Sequence, residues 1–167
     1  MFATYPDGVS ERVTSYQMHV ALADTLLLSD QPMKAANSLE QGLLKDYPTD
    51  HNATIFLGVC YYTGQAYERS LKVFSGALKL NNLDDENMAR SLLGVGMNYE
   101  KLAVLNLDDN TMNDALRYLI ASLDYDDKSL TAYHHIGMIC TERLPAYEKA
   151  IWAVSSHGIP CRERMVV

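Results

Sequence analysis

The sequence has few basic residues for its size. Its 167 residues include 14 Lys and Arg against 21 Asp and Glu, which gives a formal net charge of −7. Binding to a nucleic-acid backbone requires a dense basic surface, and an anionic membrane surface makes the same demand. The charge pattern therefore argues against nucleic acid as a partner and against attachment to a membrane surface.

Long apolar runs are also missing. No stretch approaches the roughly 18 residues that a membrane-spanning helix needs. The first residues contain Pro6, Asp7, Gly8 and Glu11, where a signal peptide would have an apolar core. We therefore expect no membrane segment and a cytoplasmic location.

Cysteine is scarce and widely spaced. The three residues Cys60, Cys140 and Cys161 form neither a disulfide framework nor a metal-ligand cluster. Cys60 and Cys140 fall within periodic helical segments, so we expect both in the core, whereas Cys161 belongs to a C-terminal tail. This usage of cysteine favours a reducing compartment.

Motifs for catalysis and for cofactor or metal binding are lacking. The sequence has no glycine-rich phosphate loop and no Gly-x-Ser-x-Gly elbow. A calcium loop that began at Asp124 would place Ser129 at its sixth position and His135 at its twelfth, which are the wrong residue types. His134 and His135 are adjacent, so on a helix they point about 100° apart and cannot grip one ion. We predict a non-enzyme without cofactor or metal.

What the sequence does contain is an internal repeat. One copy has the spacing Leu57-Gly58-x2-Tyr61-x8-Ser70-x3-Phe74-x2-Ala77. A second copy lies 35 residues upstream, with apolar or small residues at the six equivalent positions Leu22, Ala23, Leu26, Ala35, Leu39 and Gly42. Each half has the spacing of three and four that is typical of an amphipathic helix, so each copy predicts a helical hairpin.

Two further copies follow this pattern more loosely. The third opens at Leu93-Gly94 and closes around Ala115, with about nine residues inserted between its halves. The fourth opens at Ile136-Gly137 and closes around Ala150. Small residues should let the two helices of each hairpin approach closely, and the predicted contacts are Ala23 with Ala35, Gly58 with Ser70, Gly94 with Ala115, and Gly137 with Ala150.

The pattern Leu57-Gly58, Tyr61, Ser70, Phe74 and Ala77 resembles the tetratricopeptide repeat. This resemblance implies an all-α fold, a right-handed α-solenoid of about four helical hairpins. The repeat domain would span 16–158, between an N-terminal extension 1–15 and a C-terminal tail 159–167. Its hairpins would be 16–50, 51–85, 86–127 and 128–158.

In the resembled family, the first helix of each hairpin lines a concave groove that takes a peptide or helix of a partner protein. Transferred by position, the resemblance implies ten partner-binding residues: Val20, Asp24, Ile55, Val59, Tyr62, Val95, Asn98, Tyr99, His134 and Met138. One subclass clamps the C-terminal carboxylate of chaperones with Lys, Asn and Arg. The clamp positions here hold Val20, Asp24, Phe56, Met88 and Leu92, so that ligand is not expected. The alternative is that part of this apolar stripe is buried by neighbouring helices.

Three functions remain open. The first is a non-catalytic adaptor or scaffold that binds a partner segment in the groove. The second is a chaperone of the kind that holds apolar translocator proteins in bacterial type III secretion. The third is a scaffold subunit of a large assembly, such as a ubiquitin-ligase complex, that forms a homodimer through its first repeats.

Overall fold

The structure is a computed structural model that describes residues 9–80 and 82–142 of the chain. All secondary structure in this part is helical, which confirms the all-α prediction. The elements are α1 (Val9–Leu28), α2 (Pro32–Ser38), a π-helical turn (Leu39–Leu43), α3 (Leu44–Asp46), α4 (His51–Thr63), α5 (Tyr67–Ala77), α6 (Asp85–Asn106), α7 (Asp109–Leu123) and α8 (Leu130–Glu142). The predicted second helix of the fourth repeat, Ala150, Cys161 and the tail 159–167 lie outside the described residues.

Aspartate side chains cap the start of three of the helices. The side chain of Asp50 accepts a hydrogen bond from the backbone N–H of Ala53 at 2.7 Å at the start of α4. Asp84 does the same for Asn87 at 2.7 Å at the start of α6, and Asp108 caps α7. Each cap satisfies a backbone donor that the first turn leaves free, and those of Asp50 and Asp84 contribute about 1 kcal/mol each. The first helix begins at Val9, ahead of the predicted first repeat at residue 16.

Five pairs of helices that follow each other in the described chain pack against each other: α1 with α2, α4 with α5, α5 with α6, α6 with α7, and α7 with α8. In addition, α4 contacts α6, and α6 contacts α8. The α6 helix therefore touches four others, α4, α5, α7 and α8. This central place explains why its middle turns are buried on most sides.

The ring of Phe74 on α5 is held between two glycines. A Cβ atom on Gly58 of α4 would lie 2.7 Å from this ring, and one on Gly94 of α6 would lie 2.5 Å from it. Both positions therefore require glycine for the helices to approach as they do. Beside the ring, the hydroxyl of Ser70 donates a hydrogen bond to the carbonyl of Gly58 at 2.8 Å. The predicted close contact between Gly58 and Ser70 is confirmed.

The insertion in the third copy lengthens helices instead of forming a loop. The α6 helix has 22 residues, whereas α4 has 13, and only Leu107 and Asp108 separate α6 from α7. The longer helices change the antiparallel register, so α7 approaches α6 at Gly96, where a Cβ atom would lie 2.7 Å from Leu119 Cγ. The predicted contact of Gly94 with Ala115 is wrong, because Gly94 packs on Phe74 instead.

Candidate partner-binding face

Three of the ten predicted partner-binding residues are in the core, and for these the prediction was wrong. Ile55 and Val95 pack with Phe74 in one buried cluster. Asn98 is fully buried, and its amide donates to Ser70 Oγ at 2.9 Å and to the carbonyl of Gly94 at 2.7 Å. The physical reason is α5, because Ile55 and Val95 pack on its Phe74 and Asn98 bonds to its Ser70, so α5 covers these positions.

On α4, two predicted residues remain accessible. Val59 is 41% exposed, and Tyr62, three residues later, is half-buried. The Tyr62 ring packs edge-on against Tyr67, with 5.6 Å between the ring centroids. Burial and the negative charge of Glu100 raise the pKa of the Tyr62 phenol to about 12, so it stays a neutral hydrogen-bond donor. Tyr62 thus offers a partner an aromatic surface with a fixed orientation.

The influence of Glu100 on Tyr62 identifies an ionic cluster that the sequence analysis missed. His135 Nδ1 of α8 donates to Glu100 Oε2 of α6, and Lys101 Nζ lies 3.2 Å from Glu100 Oε1. Glu100 and His135 are both buried. Burial alone would raise the pKa of Glu100, but the hydrogen bond and charge of His135, together with Lys101, bring it below its usual value. The carboxylate is therefore ionised and connects α6 to α8.

One signal in the sequence pointed to this cluster. Glu100 lies in the same helical stripe as Ala89, Leu93, Gly96 and Ala103, which are spaced by three and four residues. A carboxylate within such an apolar stripe is buried and therefore needs a charged or donating partner. The identity of that partner, 35 residues away, is not encoded in any local pattern.

On α8, the two predicted residues are on the surface next to this pair. His134 is exposed, and its ring packs edge-on against His135 with 5.6 Å between the centroids. Met138 is 36% exposed and lies one helical turn further along. Tyr62 of α4 senses the charge of Glu100, Lys101 of α6 contacts Glu100, and His134 of α8 contacts His135. Val59 and Met138 lie one helical turn from Tyr62 and from His134. We call these five residues, Val59, Tyr62, Lys101, His134 and Met138, the partner face.

The remaining predicted residues lie outside the partner face. The ring of Tyr99 stacks on Tyr118 of α7, with centroids 5.5 Å apart, so it belongs to the interface of α6 with α7. Val20 of α1 is half-buried against the core cluster of α2 and α4. Asp24 is exposed on α1. Burial of the Cys60 thiol and, to a smaller extent, the negative charge of Asp24 raise the pKa of Cys60 to about 11. The Cys60 thiol is therefore protonated and serves packing.

Two further chemical properties bear on the site. Within the described ranges, no group of His, Cys, Asp and Glu side chains is arranged to hold a metal ion. None of the helices in the described part of the chain has both the length and the apolar character to cross a bilayer. The side chains of the partner face are apolar, aromatic and basic.

Comparison with known proteins adds no relative. No protein-family model matches the chain, and no curated protein is similar enough to count as a homologue.

Proposed function

We propose that this chain is a non-catalytic adaptor or scaffold that binds a segment of a partner protein across the partner face. The observation that carries the proposal is that Val59 and Tyr62 of α4 and Met138 of α8 are accessible on two helices that both pack against α6. Tyr is one of the residue types enriched among the few that supply most of the binding energy in protein interfaces. The buried Glu100–His135 pair connects α6 to α8, the helix that carries Met138.

For the fold we propose a right-handed α-solenoid of tetratricopeptide-like hairpins. Support comes from the motif positions themselves, because Gly58, Ser70 and Phe74 pack together as the resemblance implies. Further support comes from the contacts of α4 with α6 and of α6 with α8, since the first helices of successive hairpins would be neighbours in such an array.

A role without chemistry in a reducing cytoplasm is part of this proposal. The Cys60 and Cys140 side chains are buried, where they serve as small apolar residues. The raised pKa of Cys60 leaves its thiol a poor nucleophile. The two alternatives are a chaperone for apolar translocator proteins and a dimeric scaffold subunit, and both would use the same face for a different occupant.

The test compares two double variants in which one exposed aliphatic residue and one Tyr are replaced. Val59→Glu/Tyr62→Glu alters the partner face, whereas Leu22→Glu/Tyr125→Glu alters an exposed Leu of α1 and an exposed Tyr after α7. Light scattering over a hundredfold dilution would give the mass of the parent and of both variants. Affinity capture from cell extract, with quantitative mass spectrometry, would then compare what each retains.

The adaptor proposal expects a monomer at all dilutions and a partner that the parent and the Leu22/Tyr125 variant retain but the Val59/Tyr62 variant loses. A stable dimer that only the Val59/Tyr62 changes dissociate would contradict it and favour the dimeric scaffold. Retention of unfolded apolar clients in place of one folded partner would favour the chaperone. Equal capture by all three proteins would refute a binding role for the partner face.

A further inference from the structure

A second surface of the chain has the features of a binding site. Between the α2–α3 segment and α5 lies a cavity of about 650 Å³, with Leu44, Leu57, Val73 and Leu80 among its lining residues. It is lined from α3, α4 and α5, and none of the five residues of the partner face lines it. It is therefore separate from the partner face.

Basic side chains lie at the edge of this apolar floor. Arg69 and Lys72 both line the cavity, and both are exposed. In the part of the chain that the structure describes, neither forms an ion pair with a carboxylate, whereas Arg90, Lys101 and Arg117 each do. The whole chain has a net charge of −7. Arg69 and Lys72, which form no ion pair among the described residues, give the edge of this cavity a local positive charge.

Among the described residues that line the cavity, Glu40 has the single carboxylate, and it already has a partner. The hydroxyl of Tyr61 donates to Glu40 Oε1 at 2.7 Å, and the Arg69 guanidinium lies over the Tyr61 ring, 5.8 Å from its centroid. Tyr61 itself is buried. The contact with this buried ring favours a position of the Arg69 charge at the edge of the cavity before any ligand arrives, which reduces the entropy lost on binding.

The geometry points to this cavity as a second binding site, for a peptide segment of a partner protein that combines apolar side chains with Asp or Glu. Apolar side chains would pack on Leu44, Leu57 and Val73, and carboxylates would pair with Arg69 and Lys72. The cavity is an open groove, and small ligands usually bind where most of their surface becomes buried. An open groove suits a polypeptide, which can lie along it and anchor alternate side chains.

A library of random 12-residue peptides displayed on phage, selected on the immobilised full chain, tests this proposal. Selected peptides would be labelled and their affinities measured by fluorescence anisotropy against four proteins. These are the parent, Arg69→Glu/Lys72→Glu, Lys72→Glu alone, and the matched control Arg117→Glu/Lys128→Glu, which makes the same charge change at exposed residues on α7 and the following turn. Circular dichroism and thermal unfolding would check that each variant is folded.

We expect the selected peptides to be enriched in Asp and Glu beside Leu, Ile or Phe. Their affinity should be at least about tenfold lower for Arg69→Glu/Lys72→Glu and about threefold to fivefold lower for Lys72→Glu. The Lys72 side chain is exposed, so we expect Lys72→Glu to fold like the parent. It should stay unchanged on the matched control and weaken with added salt.

Three results would overturn the proposal: no enrichment of peptides, enrichment without acidic residues, or binding that is insensitive to Arg69 and Lys72. A fifth protein, Val59→Glu/Tyr62→Glu, distinguishes the two sites. Peptides that lose affinity for it and keep affinity for Arg69→Glu/Lys72→Glu would map to the partner face. They would support the adaptor proposal while refuting the second site. The two proposals can therefore fail independently.

Discussion

Around Phe74, α4, α5 and α6 meet through one aromatic ring between two glycines. Where α6 meets α7 and α8, a broad cluster of Leu, Met, Ile and Ala side chains forms the core, and a buried Glu100–His135 pair joins α6 to α8. The first region depends on shape at a few positions. The second depends on a larger apolar area and on one ionic contact.

The two regions also differ in how they relate to the repeat pattern. The region around Phe74 uses the positions that the strongest copy of the repeat specifies, so the pattern predicts its contacts. The region of α7 and α8 follows an insertion, which shifted the register and moved the close approach to Gly96. Two copies of the repeat with the same residue spacing therefore form the same helix contacts only where their helices have the same lengths.

The largest effect is expected from Phe74→Ala. Phe74 is 3% exposed and packs on Gly58 of α4 and Gly94 of α6. Removal of its ring should therefore lower the free energy of unfolding by about 4 kcal/mol. Urea unfolding followed by circular dichroism would measure the change. Phe56→Ala is the control, since Phe56 is half-buried and should cost about 2 kcal/mol. Equal losses would mean that the Phe74 ring has no special role.

The next largest effect is expected in the other region, from His135→Ala. This change leaves Glu100 buried with Lys101 as its remaining ionic partner, and the free energy of unfolding should fall by about 3 kcal/mol. The variant Glu100→Met/His135→Leu replaces both members of the pair with apolar side chains of similar volume and should lose less than His135→Ala alone. A double variant that loses as much as His135→Ala would show that the loss does not come from leaving Glu100 buried without its partner.

The same pair should give the folded state a defined dependence on acid pH. The pKa of Glu100 is lower in the folded chain than its ordinary value of 4.5. Its contribution to stability is therefore present above about pH 4.5 and is lost as the pH falls through the lower folded-state pKa. Urea unfolding of the parent should show a steeper loss of stability below about pH 5 than that of Glu100→Gln. Parallel curves would contradict ionisation of this carboxylate in the folded state.

A smaller effect, of about 2 kcal/mol, is expected from Gly94→Ala. The new Cβ would lie 2.5 Å from the Phe74 ring, and the resulting strain should outweigh the gain of about 1 kcal/mol in helix propensity. Thermal unfolding would measure it, with Gly76→Ala on α5 as the control. Among the described residues, nothing lies within 4 Å of a Cβ at Gly76, which is exposed, so that change should stabilise the chain. If Phe74→Leu does not reduce the cost of Gly94→Ala, the ring is not the cause.

The smallest effect separates two buried serines. Ser70 Oγ donates to Gly58 O and accepts from Asn98 Nδ2, so Ser70→Ala should cost about 1 to 2 kcal/mol. Ser91 Oγ is buried without a hydrogen-bond partner among the described residues, so Ser91→Ala should leave the free energy of unfolding nearly unchanged. Urea unfolding of the two variants side by side would decide, and equal losses would refute the role given to the Ser70 bonds.

The sequence predicted well what local chemistry determines. Apolar periodicity predicted helices, Asp50 and Asp84 occur at predicted junctions and cap the helices that follow, and Gly58 meets Ser70. The sequence did not predict burial correctly where burial depends on which helices pack against each other. Val95 and Asn98 occupy positions that a groove would expose, but α6 is enclosed by four helices. The Glu100–His135 pair also could not be predicted, since it joins residues that share no local pattern.

The short turn at Leu107 and Asp108 has a consequence for the folding kinetics of the chain. A connection of two residues brings α6 and α7 together at a small loss of loop entropy. Contacts between neighbours in sequence form early in folding, and α6 then offers surfaces for α4, α5 and α8. We therefore expect the α6–α7 hairpin to act as the folding nucleus, on which the rest of the described chain assembles outward in both directions.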